Sequence, residues 1–399
     1  MIVFNKDMDF NVVEIIKDKK FLSPEYMPNK IIGRKKEIDD LSFHLSYFFR
    51  ENPSLPSFII SGSSGTGKTL VVKKILQGFQ EEANKKKSKV KIVFIKGSES
   101  RSKYEVLKSI LKQLCGDKKL PRTSSDCYDK IVNFLATSES SVLIVIDEIH
   151  EIKNSEELNN LLFTISRFGE DMAFYQEGEQ KILKNKNTHY GYILITNDAL
   201  MTKDLNQNTK SSLTRDRIHF PRYSPDEVFE ILQDRIKKGA FHKNKIKENH
   251  LKYISALSIQ EGEDARYGLL LLSNIAKYAE KNRLVISDDV IVEVNNGLRK
   301  RLLLEIILDL PWIYKKILKI IVDLFNEKVD INSKKIFELY DSDPSNKNLN
   351  FSRICQIVTF LEKEKIVYVK GSNGNNLRKL TIGENIIEIK HALTEEGLL

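Results

Sequence analysis

Gly62, Ser63, Ser64, Gly65, Thr66, Gly67, Lys68 and Thr69 form a G-x-x-x-x-G-K-T run. Its glycines let backbone N–H groups turn inward without Cβ clashes, and a lysine and a hydroxyl follow at once. That combination holds phosphate oxygens, so the run reads as a phosphate loop of a nucleotide site. The helical pattern starting near Lys68 aims its first amides at the same anion. Lys68 then neutralises β/γ-phosphate charge, and the Thr69 hydroxyl is expected on Mg2+. Further on, the apolar run Val142 to Ile146 ends in Asp147 and Glu148. Two acids at a strand's carboxyl end stand where open α/β sheets place ligands. Asp147 is expected in the magnesium shell, and Glu148 as the general base that polarises an attacking water. A third apolar run ends in Thr196 and Asn197, whose amide is suited to positioning that water. Arg266 opens a helical stretch, where it either reaches the γ-phosphate or pairs with Glu263.

The segments that must carry these groups alternate in type. Residues 57–61 (SFIIS), 91–96 (KIVFIK), 142–146 (VLIVI) and 192–196 (YILIT) are apolar on both faces, as strands inside a helix-covered parallel sheet are. Helical patterns over 69–80 and 103–114 lie between them, which gives a βαβ series and an α/β fold class. We assign residues 1–225 to this nucleotide-binding base. Residues 226–304 carry helical patterns alone, opened by Ser224-Pro225-Asp226-Glu227, a capping box with proline at the first helical position. Residues 305–399 read as three helices (312–325, 333–340, 352–363) and a hairpin (366–370, 377–382) across a Gly/Asn-rich turn, the outline of a winged helix. The polar, lysine-rich stretch 170–187 reads as a surface insertion.

With 399 residues and 41% hydrophobic content the chain can build two or three cored domains, which excludes wholesale disorder. No run of about 18 apolar residues offers a membrane span, so no membrane partner and a cytoplasmic location are expected. Three scattered cysteines exclude a disulfide framework. Net charge is +9, but 311–380 alone hold 13 Lys+Arg against 8 Asp+Glu, a local +5. That basic character belongs to the winged-helix region and points to a polyanionic partner there. Over 352–363, Ile354, Ile357, Val358 and Leu361 recur at helical spacing and must face a core. Arg353 and Gln356 fall outside that stripe and are types that read base edges in a major groove. Lys370, Arg378 and Lys379 flank the hairpin tip, suited to phosphate or minor-groove contact.

Box by box the chain resembles an archaeal origin-recognition-type replication initiator, an AAA+ ATPase homologous to the eukaryotic origin recognition complex and its Cdc-six-type helicase loader. The resemblance runs from Tyr26-Met27-Pro28 and the box from Ile32 to Ile38 through the phosphate loop, Asp147-Glu148 and Thr196-Asn197-Asp198 as sensor 1. It continues through 210–213 (KSSL), 218–227 (IHFPRYSPDE) at the start of the lid, and Asp264-Ala265-Arg266-Tyr267. It implies a RecA-like base, a helical lid and a C-terminal winged helix, with ATP or ADP and Mg2+ as cofactors. Arg266 becomes sensor 2 and Tyr223 a nucleotide contact. The implied activity is slow ATP hydrolysis used as a switch on origin double-stranded DNA within the nucleoid, with other initiator paralogues and the replicative helicase as partners. The family's DNA-contacting insertion after the second strand maps onto 98–112, which makes Arg101 and Lys103 further DNA candidates. Two departures mark a divergent paralogue. Residues 205–210 offer no arginine shortly before the KSSL run, where the family's finger toward a neighbour's nucleotide usually stands, though Arg215 or Arg217 could substitute; His150 stands where an acid is common and reads as a helix-surface residue. The alternative reading is an ATPase of similar layout whose winged helix serves protein contacts or promoter regulation.

Overall fold

A computed structural model describes residues 14–100, 102–116, 120–152, 154–173, 176–177, 180–181, 188–197, 205–261, 265–343, 349–372, 378–383, 386–395 and 397–398. In chain order the elements of the first part are α1 (Lys35–Ser46), β1 (Ser57–Ser61), α2 (Lys68–Lys85), β2 (Val90–Lys96), α3 (Lys103–Cys115), α4 (Ser124–Thr137), β3 (Ser141–Asp147), α5 (Ser155–Asp171), β4 (Gln176–Glu177), β5 (Gln180–Lys181), β6 (Tyr190–Thr196), α6 (Gln207–Ser212) and β7 (Arg217–His219). There follow α7 (Pro225–Lys237), α8 (Glu248–Gln260), α9 (Ala265–Asn282), α10 (Asp288–Asp309), α11 (Trp312–Asn326), α12 (Ser333–Asp341), α13 (Phe351–Lys363), β8 (Tyr368–Ser372), β9 (Arg378–Thr381) and α14 (Ile386–Glu395). They divide into two compact units, Met1–Val285 and Ile286–Leu399. Among the described residues no helix is long and apolar enough to cross a membrane.

The first unit is built on an all-parallel five-stranded sheet in the order β2-β3-β6-β1-β7. Strand alternation sorts its side chains into two cores. Phe58, Ile60, Leu143, Val145 and Ile193 meet Val71, Val72, Leu76 and Phe79 of α2 and Leu41 and Leu45 of α1. Ile59, Ile144, Ile146 and Leu194 face the other way, onto α3, α4 and α5. Both faces being covered, the β3 side chains are all buried, which is why that strand reads as an unbroken apolar run. Register sets the carboxyl ends side by side, with Ser61 opposite Thr196 and Ile146 opposite Leu194. The phosphate loop after β1, Asp147 ending β3 and Asn197 after β6 therefore converge on one edge.

Helix α3 takes up most of the segment expected as the insertion. It is a core helix, with Val106, Leu107, Ile110, Leu111 and Leu114 buried against α4 and the sheet, and its strong amphipathicity is the physical reason. The lid helices α7–α9 complete the unit. Ser224 and Glu227 form the reciprocal capping box that starts α7. Glu280 of α9 accepts the backbone N–H groups of Ile15 and Ile16 at 2.8 Å each, and a bridge from Ile16 to Phe241 stitches the N-terminal segment to the same lid.

In the second unit Ile317, Leu318, Ile321, Ile336, Ile354, Ile357, Val358 and Leu361 of α11, α12 and α13 close on Ile366, Leu380 and Ile389. β8 and β9 pair antiparallel, and a bridge from Ile331 to Leu380 adds a third short strand, completing a winged-helix arrangement. Leu303 and Ile307 of α10 also enter this core, so α10 lies wholly in the second unit, ahead of the boundary expected at 305.

Candidate functional site

Gly67 caps α2 with φ +85°, a left-handed conformation, and a Cβ there would stand 2.7 Å from the Tyr223 hydroxyl. Only glycine satisfies both constraints. The Lys68 ammonium is buried within the loop, donating to the Gly62 carbonyl at 2.9 Å and the Ser63 carbonyl at 2.6 Å. Thr69 Oγ1 donates to Asp147 Oδ2 at 2.8 Å, so the two residues expected on magnesium already touch. Burial pushes the Asp147 carboxyl above its ordinary value, against the opposing pull of the Thr69 hydroxyl. A buried carboxylate beside a hydroxyl at the mouth of a phosphate loop is an oxygen donor set that fits a hard divalent cation.

Glu148 leaves β3 at φ +55°, a strained position for a residue with a side chain. Its carbonyl would stand 2.3 Å from a Cβ on Gly97, so glycine at the end of β2 is what permits this turn. The Glu148 carboxylate accepts from Ser98 Oγ at 2.9 Å. Asn197 meets His150 twice: its backbone N lies 3.2 Å from Nδ1 and its Nδ2 3.3 Å from Nε2. The histidine is thus no helix-surface residue. It sits in a short 3₁₀ turn, Ile149–Glu151, that folds the ring back over the end of β6. From the lid, Arg266 Nη1 reaches Ser64 Oγ at 3.4 Å.

Two buried arginines, each set against a tyrosine ring, join these parts. Arg34, 1% exposed, donates to the carbonyls of Thr66 at 2.9 Å and of Gly33 and Pro221 at 2.8 Å each. Its guanidinium stacks 3.6 Å from the centroid of Tyr223. Arg235 of α7 is buried with its guanidinium 4.6 Å from the Tyr26 centroid, and its Nε and Nη1 find no hydrogen-bond partner among the described residues. Burial pushes this guanidinium below its ordinary value. Tyr223, Arg235 and Arg266 line one cleft of about 570 Å3 that runs from Lys68, Asp147, Glu148 and Asn197 to an apolar end at Met27, Pro28, Ile31, Ile231 and Leu269. A charged end and an apolar end in one cleft suit a triphosphate joined to a flat base. Arg235 and Ser98 were missed in the sequence reading. Arg235 had a signal, since it follows Val228, Ile231 and Leu232 on a buried helical stripe.

The residues expected on nucleic acid are placed less uniformly. Arg353 and Gln356 are exposed on α13, and Arg353 Nη1 donates to Gln356 Oε1 at 2.9 Å. Lys370 is exposed on β8. Arg378 lies in β9, paired in register with Ser372. Lys379 donates to Asp330 at 2.7 Å. Lys103 is half-buried at the start of α3, its backbone N–H on Glu157, and burial lowers its ammonium. Arg101 lies outside the described residues.

Comparison with known proteins agrees with the geometry. Residues 56–184 match the AAA domain family, and residues 229–293 match the Cdc6 AAA+ ATPase-type lid domain. An ORC1-type DNA replication protein of Desulfurococcus amylolyticus is 26% identical over 357 residues, 87% of this chain and 86% of that one. One from Sulfolobus acidocaldarius is 28% identical over 331 residues, covering 82% and 78% of the two chains. In fold the chain is similar to Aeropyrum pernix ORC1, solved in complex with DNA, with a TM-score of 0.76 at 22% identity over 96% of this chain and 98% of that one. With a phosphate loop, a strand-end acid pair and a lid arginine converging on one cleft, the chain carries an AAA domain with a Cdc6-type lid and is similar to archaeal ORC1-type DNA replication proteins.

Proposed function

We propose that this chain is a replication initiator whose grip on origin DNA depends on the nucleotide it holds. The observation that carries the reading is convergence: Lys68 and Ser64 of the loop, Asp147 of β3 and Arg266 of the lid all border one cleft. A triphosphate there touches base and lid at once, so ATP and ADP differ in the contacts they offer Arg266. Only such a difference can shift a conformational equilibrium. Thr69 and Asp147 would hold Mg2+, which when bound neutralises phosphate charge. Glu148 accepts the proton of an attacking water, and Asn197 orients that water.

The winged-helix unit supplies the DNA contacts in this reading. Arg353 and Gln356 read base edges from α13, while Lys370, Arg378 and Lys379 meet phosphates from the hairpin. The exposure of Arg353, Gln356 and Lys370 beside a fully buried Ile354, Ile357 and Leu361 supports that assignment. The relatives' common description as replication proteins supports the process.

The test maps bound genomic sites and then footprints them with ATP and with ADP, beside Lys68→Ala. Protection of repeated boxes at origins that depends on nucleotide and is lost in Lys68→Ala is the expected result. Binding confined to promoters would favour a transcriptional regulator, and no duplex binding in either nucleotide state would refute the proposal. About six phosphate contacts give a log–log salt slope near −5.

A further inference from the structure

His150 is the one ring that touches Asn197 through both of its nitrogens among the contacts described above. Nδ1 lies 3.2 Å from the Asn197 backbone nitrogen, and Nε2 lies 3.3 Å from the end of its side chain. A backbone N–H only donates, so Nδ1 accepts and carries no proton. The neutral ring then holds its proton on Nε2. An Nε2–H facing a carboxamide needs an acceptor, and the oxygen and nitrogen of a carboxamide are interchangeable in shape. Asn197 therefore presents Oδ1 to the ring and turns its NH2 away from it. The Glu151 carboxylate, 3.6 Å from Nε2, favours the same tautomer. The ring is 19% exposed, which limits competition from water.

We propose that His150 is a positioning residue for Asn197. As the Nε2–H tautomer it fixes the carboxamide so that two N–H donors, and not a carbonyl, serve the cleft that Asn197 shares with Lys68, Asp147 and Glu148. Donors match the oxygens present there, those of a γ-phosphate and of the attacking water. A carbonyl in that position would repel phosphate oxygens. The inference rests on the reading of the cleft as an ATP-hydrolysing site.

Two measurements on the full chain test it. Selective 15N labelling of the seven histidines, with His150 assigned by the signal lost in His150→Asn, reports the tautomer directly. The Nε2–H form is expected, and an Nδ1–H form would overturn the proposal. In parallel, His150→Phe keeps the ring's bulk and removes both hydrogen-bonding atoms. It is expected to bind ATP within about twofold of wild type while turnover falls at least tenfold. His150→Asn keeps an acceptor near the place of Nδ1 and is expected to recover part of that loss. Wild-type turnover in His150→Phe, or ATP affinity and turnover lost together, would refute the positioning role. A wild-type chain that binds no ATP would remove the reading of the cleft instead, while the tautomer measurement would still decide the geometry.

Discussion

Replacing Arg34 by alanine tests how far the cleft depends on a single buried cation. Arg34 is the largest of the fully buried side chains and ties together three segments distant in sequence, through the carbonyls of Gly33, Thr66 and Pro221. The Thr66 bond is buried, so losing it strands a carbonyl at about 2 kcal/mol. The other two are part-buried and water reaches them in the variant, which leaves about 1 kcal/mol each. Loss of the stack on Tyr223 adds about 1 kcal/mol. The sum is about 5 kcal/mol, a third or more of the stability of many domains. At about 2–4 °C per kcal/mol the first unit's Tm should fall by roughly 10–20 °C. The chain's one tryptophan, Trp312, sits in the second unit, so its fluorescence would miss the event. Calorimetry or far-UV circular dichroism is the suitable assay, with the second unit's transition unchanged as an internal control. Arg34→Lys should recover less than half, because one ammonium cannot reach three carbonyls and stack. A fall under about 3 °C in Arg34→Ala would refute the reasoning.

Glu148→Ala should keep ATP affinity in a fluorescent-nucleotide titration and lose turnover in a phosphate-release assay. Asp147→Asn should raise the Tm of the nucleotide-free protein in EDTA at neutral pH. Its raised carboxyl subtracts from stability above the ordinary value of 3.8, so the gain should vanish as pH falls through that value. Arg353→Ala should weaken duplex binding by about 1–3 kcal/mol in a fluorescence-anisotropy titration and relax specificity at one position. Lys370→Ala should instead weaken binding evenly across sequences and reduce the salt slope by about 1.

Legibility in the sequence followed local pattern. β1, β3 and β6 announce themselves because a doubly covered strand is apolar at every position, and the phosphate loop because its residue types have few other uses. The recognition stripe of α13 is readable since Ile354, Ile357, Val358 and Leu361 keep helical spacing. β7 is a three-residue strand with polar ends, too short to show a period. Arg34 sits in Gly-Arg-Lys-Lys, which locally resembles a basic surface run; its burial depends on Thr66 and Pro221, which no local rule brings near. Lys379 reads as a free phosphate contact until the bridge from Ile331 to Leu380 carries Asp330 beside it, 49 residues away in sequence. His150 was misread for the same reason, since only the strained turn at Glu148 delivers its ring to Asn197.

The strand order also dictates how the chain must be born. β2 and β3 can pair as soon as residue 147 has left the ribosome, but β1 waits for β6 and then β7, whose last residue is His219. At about 5–20 residues per second the nascent strand stays unpaired on both sides for on the order of ten seconds. During that interval its apolar edges are open to mispairing, a hazard that chaperones exist to cover. Nucleotide capture is thereby postponed until the first unit is nearly complete, because Pro221, which anchors Arg34, emerges later still.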